Sequence, residues 1–198
     1  MTESRSRYDA VIAGGGLVGL ACAWRAARRG LSVRVVERGR PGEGASAVAA
    51  GMLAPVGESS WGEDALLGLG LASLELWPRF AAELEAESGE PGGYSRPGAL
   101  HVALDRDEAE ELRRHHELHQ ALGLESEWMR PSGCRRLEPG LAPSVAGGLH
   151  VPGEGIADPV AAVAALLAAL ERSGVAVDAG SEIVSMGLGD DGCELALA

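Results

Sequence analysis

The chain has 198 residues, of which 46% are hydrophobic, 23% charged and only 4% aromatic. Its 29 acidic against 17 basic residues leave a formal net charge of −12, a balance that repels phosphate backbones and excludes nucleic acid as a partner. No apolar run of about 18 residues occurs, and the N-terminus (Glu3, Arg5, Arg7, Asp9) lacks an apolar signal region, so the expectation is a cytoplasmic chain with no transmembrane segment.

Tyr8 to Ala13 is a short apolar run ending in Gly14-Gly15-Gly16, which predicts a buried strand entering a turn. Leu17, Leu20, Ala21 and Trp24 recur at helical spacing and predict a helix over Leu17–Arg29 closed by Gly30. Leu31 to Val36 reads as a second strand that ends at Glu37. Strand, glycine turn, helix and strand in succession make a βαβ unit, a parallel pair with a right-handed crossover. Residues 39–51 read as a loop of small residues, and Asp64–Glu87 as a long helix kinked or broken at Pro78. Pro91-Gly92-Gly93 marks a boundary, followed by a strand over Gly98–Leu104 and a charged amphipathic helix over Arg106–Leu122. Arg130–Gly155 is rich in Gly and Pro, with a short strand at Leu149–Val151. Asp158 and Pro159 suit an N-cap and first helical position. The helix they open has Val160, Val163, Leu167 and Leu170 as its buried face and ends at Gly174. Val175–Val177 and Glu182–Met186 read as strands, and Gly189-Asp190-Asp191-Gly192 as a turn into a last strand, Cys193–Leu197. No internal repeat is present.

The strongest chemistry lies in the first βαβ. Gly14, Gly16 and Gly19 fit G-x-G-x-x-G between a strand and the helix it opens. Gly14 permits the tight turn, and Gly16 lets the backbone approach a pyrophosphate attracted by the helix N-terminus. Gly19 lets the helix lie close on the strand. Glu37 stands where a carboxylate accepts hydrogen bonds from ribose hydroxyls and repels a 2′-phosphate. The pattern predicts a dinucleotide other than NADP. FAD and NAD share it, and a glycine turn with no ligand is the competing reading.

The run Val11-Ile12-Ala13-Gly14-Gly15-Gly16-Leu17-Val18-Gly19-Leu20-Ala21-Cys22-Ala23-Trp24 resembles the N-terminus of the FAD-dependent amine oxidases of the D-amino-acid oxidase superfamily. Gly44-Ala45-Ser46-Ala47-Val48-Ala49-Ala50-Gly51-Met52-Leu53-Ala54-Pro55 is similar to the small-residue loop of the glycine oxidases that serve thiazole synthesis in thiamine formation. Leu71-Ala72-Ser73-Leu74-Glu75-Leu76-Trp77-Pro78 and Arg136-Leu137-Glu138-Pro139 resemble that group too, so the likeness runs from about Tyr8 to Met186. It implies an α/β fold: a Rossmann-like FAD-binding domain with the beginning of an inserted α+β substrate domain. Residues 1–92 would form the first part of the FAD domain, 93–156 part of the substrate domain, and 157–198 the FAD domain again.

By the same resemblance, FAD contacts fall on Gly14, Gly16, Leu17, Val18, Gly19, Glu37, Arg38, Ala45, Ser46, Ala50, Gly51, Met52 and Ile183. The physical reading of the loop agrees with it. Ala45 to Gly51 has almost no bulk, so its amides can approach a flavin ring. Ser46 can donate to a phosphate or ring oxygen, and Met52 can pack its thioether near the ring. A flexible linker is the competing reading of the loop, and an ordinary buried β-branched residue that of Ile183.

The implied reaction converts glycine, or another small amino acid or amine, to an imino acid that hydrolyses, with O2 reduced to H2O2. A D-amino-acid dehydrogenase or sarcosine-oxidase-like branch, and a non-catalytic FAD-binding module, are the alternatives. In the family the arginine that anchors the substrate carboxylate lies in a second half. The chain is therefore expected to be an N-terminal portion, without an identifiable catalytic residue and inactive alone. Homo-oligomerisation is left open.

Other features read as structural. His115, His116 and His119 share a predicted helix, but the spacing misses H-E-x-x-H by one residue, so a solvated face is expected and no metal. Cys22, Cys134 and Cys193 are odd in number and far apart, which argues against a disulfide framework. Cys134 and Cys193 read as inert. The acidic run from Asp105 to Glu111 reads as a helix N-terminus favoured by the macrodipole.

Overall fold

A computed structural model describes residues 6–189 and 192–198. In chain order the elements are β1 (Ala10–Ala13), α1 (Leu17–Ala27), β2 (Val33–Glu37), α2 (Ala45–Val48), β3 (Met52–Leu53), α3 (Asp64–Ser88), β4 (Tyr94–Ser95) and β5 (Ala99–Ala103). They continue with α4 (Arg106–Ala121), β6 (Glu127–Met129), α5 (Pro131–Leu137), β7 (Gly147–Val151), β8 (Gly155–Ala157), α6 (Pro159–Arg172), β9 (Ala176–Ala179), β10 (Ile183–Gly189) and β11 (Gly192–Leu197). Asp190 and Asp191, the centre of the turn expected before the last strand, lie outside the described residues.

The chain forms two compact units. The first holds residues 1–51, 79–93 and 158–198. It holds a parallel sheet in the order β1-β2-β9, with Ala10 opposite Val33 and Val35 opposite Val177, and an antiparallel pair, β10-β11. The expected βαβ is present. α1 and α6 supply Leu20, Ala23, Trp24, Val163, Leu166, Ala169 and Leu170 to a core completed by Val33, Val35 and Leu84. Asp158 caps α6 by accepting from the Val160 and Ala161 amides, with Pro159 at the first helical position, as expected. Val160, expected on the buried face, is 61% exposed. Ala162, Ala165, Leu166 and Ala169 take that face instead, because small alanines let α6 pack closely. The end of α3 is fastened to α1 electrostatically. Trp24 Nε1 donates to Glu87 at 2.7 Å, while Arg25, Arg28 and Arg79 bond to Glu83. Those bonds, Arg25's first, push the Glu83 carboxyl down to about 2.

The second unit holds residues 52–78 and 94–157. Residues 52–78 therefore leave the first domain expected over 1–92. Two antiparallel sheets, β3-β8-β4 and β5-β7-β6, make its framework. Asp105 caps α4 by accepting from the Glu108 amide, and Glu108 accepts from the Leu104 amide, so two carboxylates of the acidic run fasten the helix start. The solvated histidine face is overturned: His119 is fully buried, and His115 is half-buried against Ser59. Each ring finds a backbone carbonyl, which removes the need for water.

α3 runs unbroken through Pro78 where a kink or break was open, with buried Leu74 on one side and Ala81 and Leu84 on the other. The strands β4, β6 and β8 and the helices α2 and α5 occupy stretches read as loop or left unassigned. They have two to seven residues each and too few positions to show a period. No helix among the described residues is long and apolar enough to cross a membrane. Cys22 and Cys193 are free and exposed; Cys134 is free and buried, and burial pushes its thiol up.

Candidate functional site

Strand β1 leads into the Gly14–Gly16 turn, and α1 starts at once from Leu17. Gly14 has φ +103°, where side chains are strained. A Cβ on Gly19 would collide with the Gly14 carbonyl oxygen and lie 3.3 Å from Ile12 Cγ2, so the packing of α1 on the turn demands glycine. Gly16 differs from both. Its φ of −75° and ψ of 174° suit any residue, and a Cβ there would meet only Ser46 Oγ, at 3.4 Å. The fold itself does not require glycine at 16, and the space beside it is left clear.

That space borders the positive end of α1. The Leu17 amide donates to Ser46 Oγ at 3.0 Å. The amides of Gly16, Val18 and Gly19 have no protein acceptor among the described residues. Because Ser46 accepts from Leu17, its own O–H is free to donate outward. Unmet N–H groups at a helix start, joined by a hydroxyl donor, form an anion receptor.

Glu37, at the end of β2, is tied to the same turn. Its Oε2 accepts the Gly15 N–H at 2.7 Å and its Oε1 the Gly39 N–H at 2.8 Å. These bonds, Gly39's first, hold its carboxyl below the ordinary 4.5, and the Arg38 charge adds to the effect. The group is ionised at neutral pH, and each oxygen keeps a second acceptor position. An anion receptor and an anionic acceptor for hydroxyls thus meet at Gly15, which suits a sugar joined to a phosphate.

Backbone bonds close the site. Gly42 N–H donates to Gly15 at 2.9 Å, Gly180 N–H to Gly39 at 3.0 Å and Ser181 N–H to Glu37 at 3.0 Å. Ile183 opens β10 just beyond that clamp. These bonds and contacts gather Gly14, Gly16, Leu17, Gly19, Glu37 and Ser46, and Arg38 acts on Glu37 by charge. Val18, Ala45 and Ala50 are exposed in the same unit, and Gly51 ends its first segment; among the described residues Ala45, Ala50 and Gly51 make no bond to the turn. Met52 belongs to the second unit, where it pairs with Ile156. The loop expected over 39–51 contains the helical turn α2, and this carries Ser46. Gly15, Gly39, Gly42, Gly180 and Ser181 went unrecognised as site residues. They act through backbone amides, which have no side-chain signature, although a glycine two residues after Glu37 is a usable hint.

A family model described as FAD dependent oxidoreductase (DAO) matches residues 9–194. Glycine oxidase of Geobacillus kaustophilus is 36% identical over 150 residues, 75% of this chain and 40% of that protein. The bifunctional protein ThiO/ThiG of Trichormus variabilis is 33% identical over 172 residues, 87% of this chain and 26% of that one. The crystal structure of the Geobacillus glycine oxidase superimposes with a TM-score of 0.91 at 32% identity, covering 98% of this chain and 52% of that one. The chain spans about half or less of the length of these relatives.

Proposed function

Since the chain belongs to the FAD dependent oxidoreductase (DAO) family, we propose that it forms the nucleotide-binding part of an FAD-dependent oxidoreductase of the glycine oxidase kind. The observation that carries this is Gly16, the one glycine of the motif that the fold does not require, placed at an α1 N-terminus with unmet amides. The residues present fit FAD. The pyrophosphate would take the Gly16, Val18 and Gly19 amides and the Ser46 hydroxyl. The adenosine ribose would take the free acceptor positions of Glu37, whose charge disfavours a 2′-phosphate. Arg38, Ala45, Ala50, Gly51 and Ile183 complete the proposed contacts. Here Ala45 and Ala50 offer exposed backbone without bulk, and Ile183 is held near Glu37 by the Ser181 bond.

FAD, when bound, supplies a two-electron acceptor in its ring system. The chain's own groups bind and orient it: α1 neutralises phosphate charge, and the Gly15 and Gly39 amides keep Glu37 ionised and aimed. The proposed overall reaction takes two electrons and two protons from a small amino acid or amine to give the imino acid, which water hydrolyses. Both electrons and protons pass on to O2, giving H2O2. The likeness of residues 44–55 to the glycine oxidase loop supports a place in thiazole formation for thiamine.

Titration with FAD, NAD and NADP, followed by flavin fluorescence and calorimetry, tests the cofactor. FAD should bind with the greatest affinity, and preference for NADP overturns the reading. A peroxide assay of the complete enzyme with glycine, sarcosine and D-alanine tests the chemistry. Peroxide in step with substrate use is expected, whereas dye reduction without peroxide would assign a dehydrogenase.

A further inference from the structure

In the second unit four titratable side chains converge on one turn, Ala54–Ser59. His119 Nε2 lies 2.9 Å from the Val56 carbonyl oxygen, and His115 Nε2 lies 2.6 Å from that of Ser59. Glu154, 1% exposed, accepts the Gly57 N–H through Oε1 at 2.5 Å. A carbonyl only accepts, so both imidazoles carry a proton on Nε2, and a neutral ring then has an acceptor at Nδ1. In His119 that Nδ1 is buried and has no partner among the described residues. Glu154 Oε2 and His101 Nε2 are also buried without a hydrogen-bond partner, 3.9 Å apart. Gly57 is confined beside them: a Cβ would run into His101 Nε2 and come within 3.1 Å of Glu154 Oε1.

The turn therefore depends on a histidine with no acceptor ready for a second proton. Protonating Nδ1 would bury a cation whose new N–H meets nothing, 4.9 Å centroid to centroid from the His115 ring. The charged groups facing His119 are His115 and His116 from its own helix, which oppose a proton, and Glu154 from the β7–β8 connection, which favours one. Burial first, then His115, pushes His119 below its ordinary 6.5. His101, from β5, faces Glu154.

We propose that this cluster is an acid-sensitive latch: neutral His119, with Glu154, holds the Ala54–Ser59 turn closed, and protonation of His119 at Nδ1 opens it. The sign follows from proton linkage. An open turn frees His119 to take up a proton at its ordinary value, while the closed turn resists it. For each pH unit below 6.5 in which the closed form stays unprotonated, opening gains about tenfold.

Amide hydrogen exchange on the full chain, corrected for intrinsic rates, reads this directly. Protection at Gly57, Glu58 and Ser59 should fall about tenfold per pH unit below 6.5, while Ala165 and Leu166 in α6 keep theirs. His119→Gln keeps a non-titrating donor for Val56 and should flatten the pH dependence. His116→Gln, whose ring bonds Ser126 instead and acts on His119 by charge alone, should keep the tenfold slope. The His119 ring, followed by 15N NMR in the wild type, should titrate below its ordinary 6.5 and only where the turn's protection is exhausted, which decides the matter even if His119→Gln does not fold. Equal losses in α6, an unchanged pH dependence in His119→Gln, or a His119 titration that leaves the turn protected would overturn the proposal.

Discussion

Replacing Glu37 with glutamine asks how much of the nucleotide site is built before any ligand arrives. In the free chain the carboxylate already accepts two backbone N–H groups, from Gly15 and Gly39. Glutamine offers one carbonyl oxygen, so one amide keeps an acceptor and the other faces the NH2 group, donor against donor. A hydrogen bond to a charged group is worth about 1.5–3 kcal/mol, and an unmet donor costs a similar amount when buried. Glu37 is only partly buried, so water relieves part of that cost, and a loss of about 2 kcal/mol is expected at neutral pH. The folded carboxyl titrates below the ordinary 4.5, so its contribution is complete above 4.5 and disappears as pH falls through the folded value. Urea unfolding of wild type and Glu37→Gln, from neutral to strongly acidic pH, measures both features. The gap should be widest at neutral pH and close on acidification. Equal midpoints at neutral pH, or a gap that does not shrink in acid, would refute the view that Glu37 serves the turn as well as the ligand.

Gly16→Ala should cost under about 1 kcal/mol in the free chain but weaken FAD about tenfold or more, whereas Gly19→Ala should destabilise the free chain by about 2–3 kcal/mol. Thermal melts and FAD titration of the two variants separate these effects. Leu166→Ala should cost about 2–5 kcal/mol, and Val160→Ala about 0.5 kcal/mol or less despite its place on the same helix, as judged by denaturant midpoints. Glu83→Gln removes a group whose contribution is full above 4.5 and fades as pH falls towards about 2. The difference from wild type should shrink in acid and in high salt, measured by thermal melts across both series.

The βαβ was legible because three signals agree in register: the apolar period, the glycine spacing and the acidic strand end. Asp158 and Pro159 were legible for a similar reason, since cap chemistry is local. Val160 was misplaced because the spacing of large residues drew the buried face, while Ala162, Ala165 and Ala169 carry it in fact. The histidines were misread because burial of His119 depends on the Val56 carbonyl, 63 residues away. No window along α4 contains that acceptor. Glu37 was found, but its two amide partners were not, because a backbone N–H looks alike at every position.

The pairing of β2 with β9 bears on the order in which the chain can fold. Arg34 and Asp178, joined across these strands, are 144 residues apart. Of the elements described, β1, α1 and β2 leave the ribosome before the others, and the edge of β2 then stays open while the whole second unit is made. Closing so long a loop costs only slightly more entropy than a shorter one, but it delays the reward. If the intervening residues fold first, they shorten the effective loop and bring its ends nearer. The glycine turn and Glu37 can exist early, yet the Gly180 and Ser181 bonds that steady them must await the last fifth of the described chain. Readiness for a dinucleotide thus comes well after synthesis of its motif, once Gly180 and Ser181 have followed it.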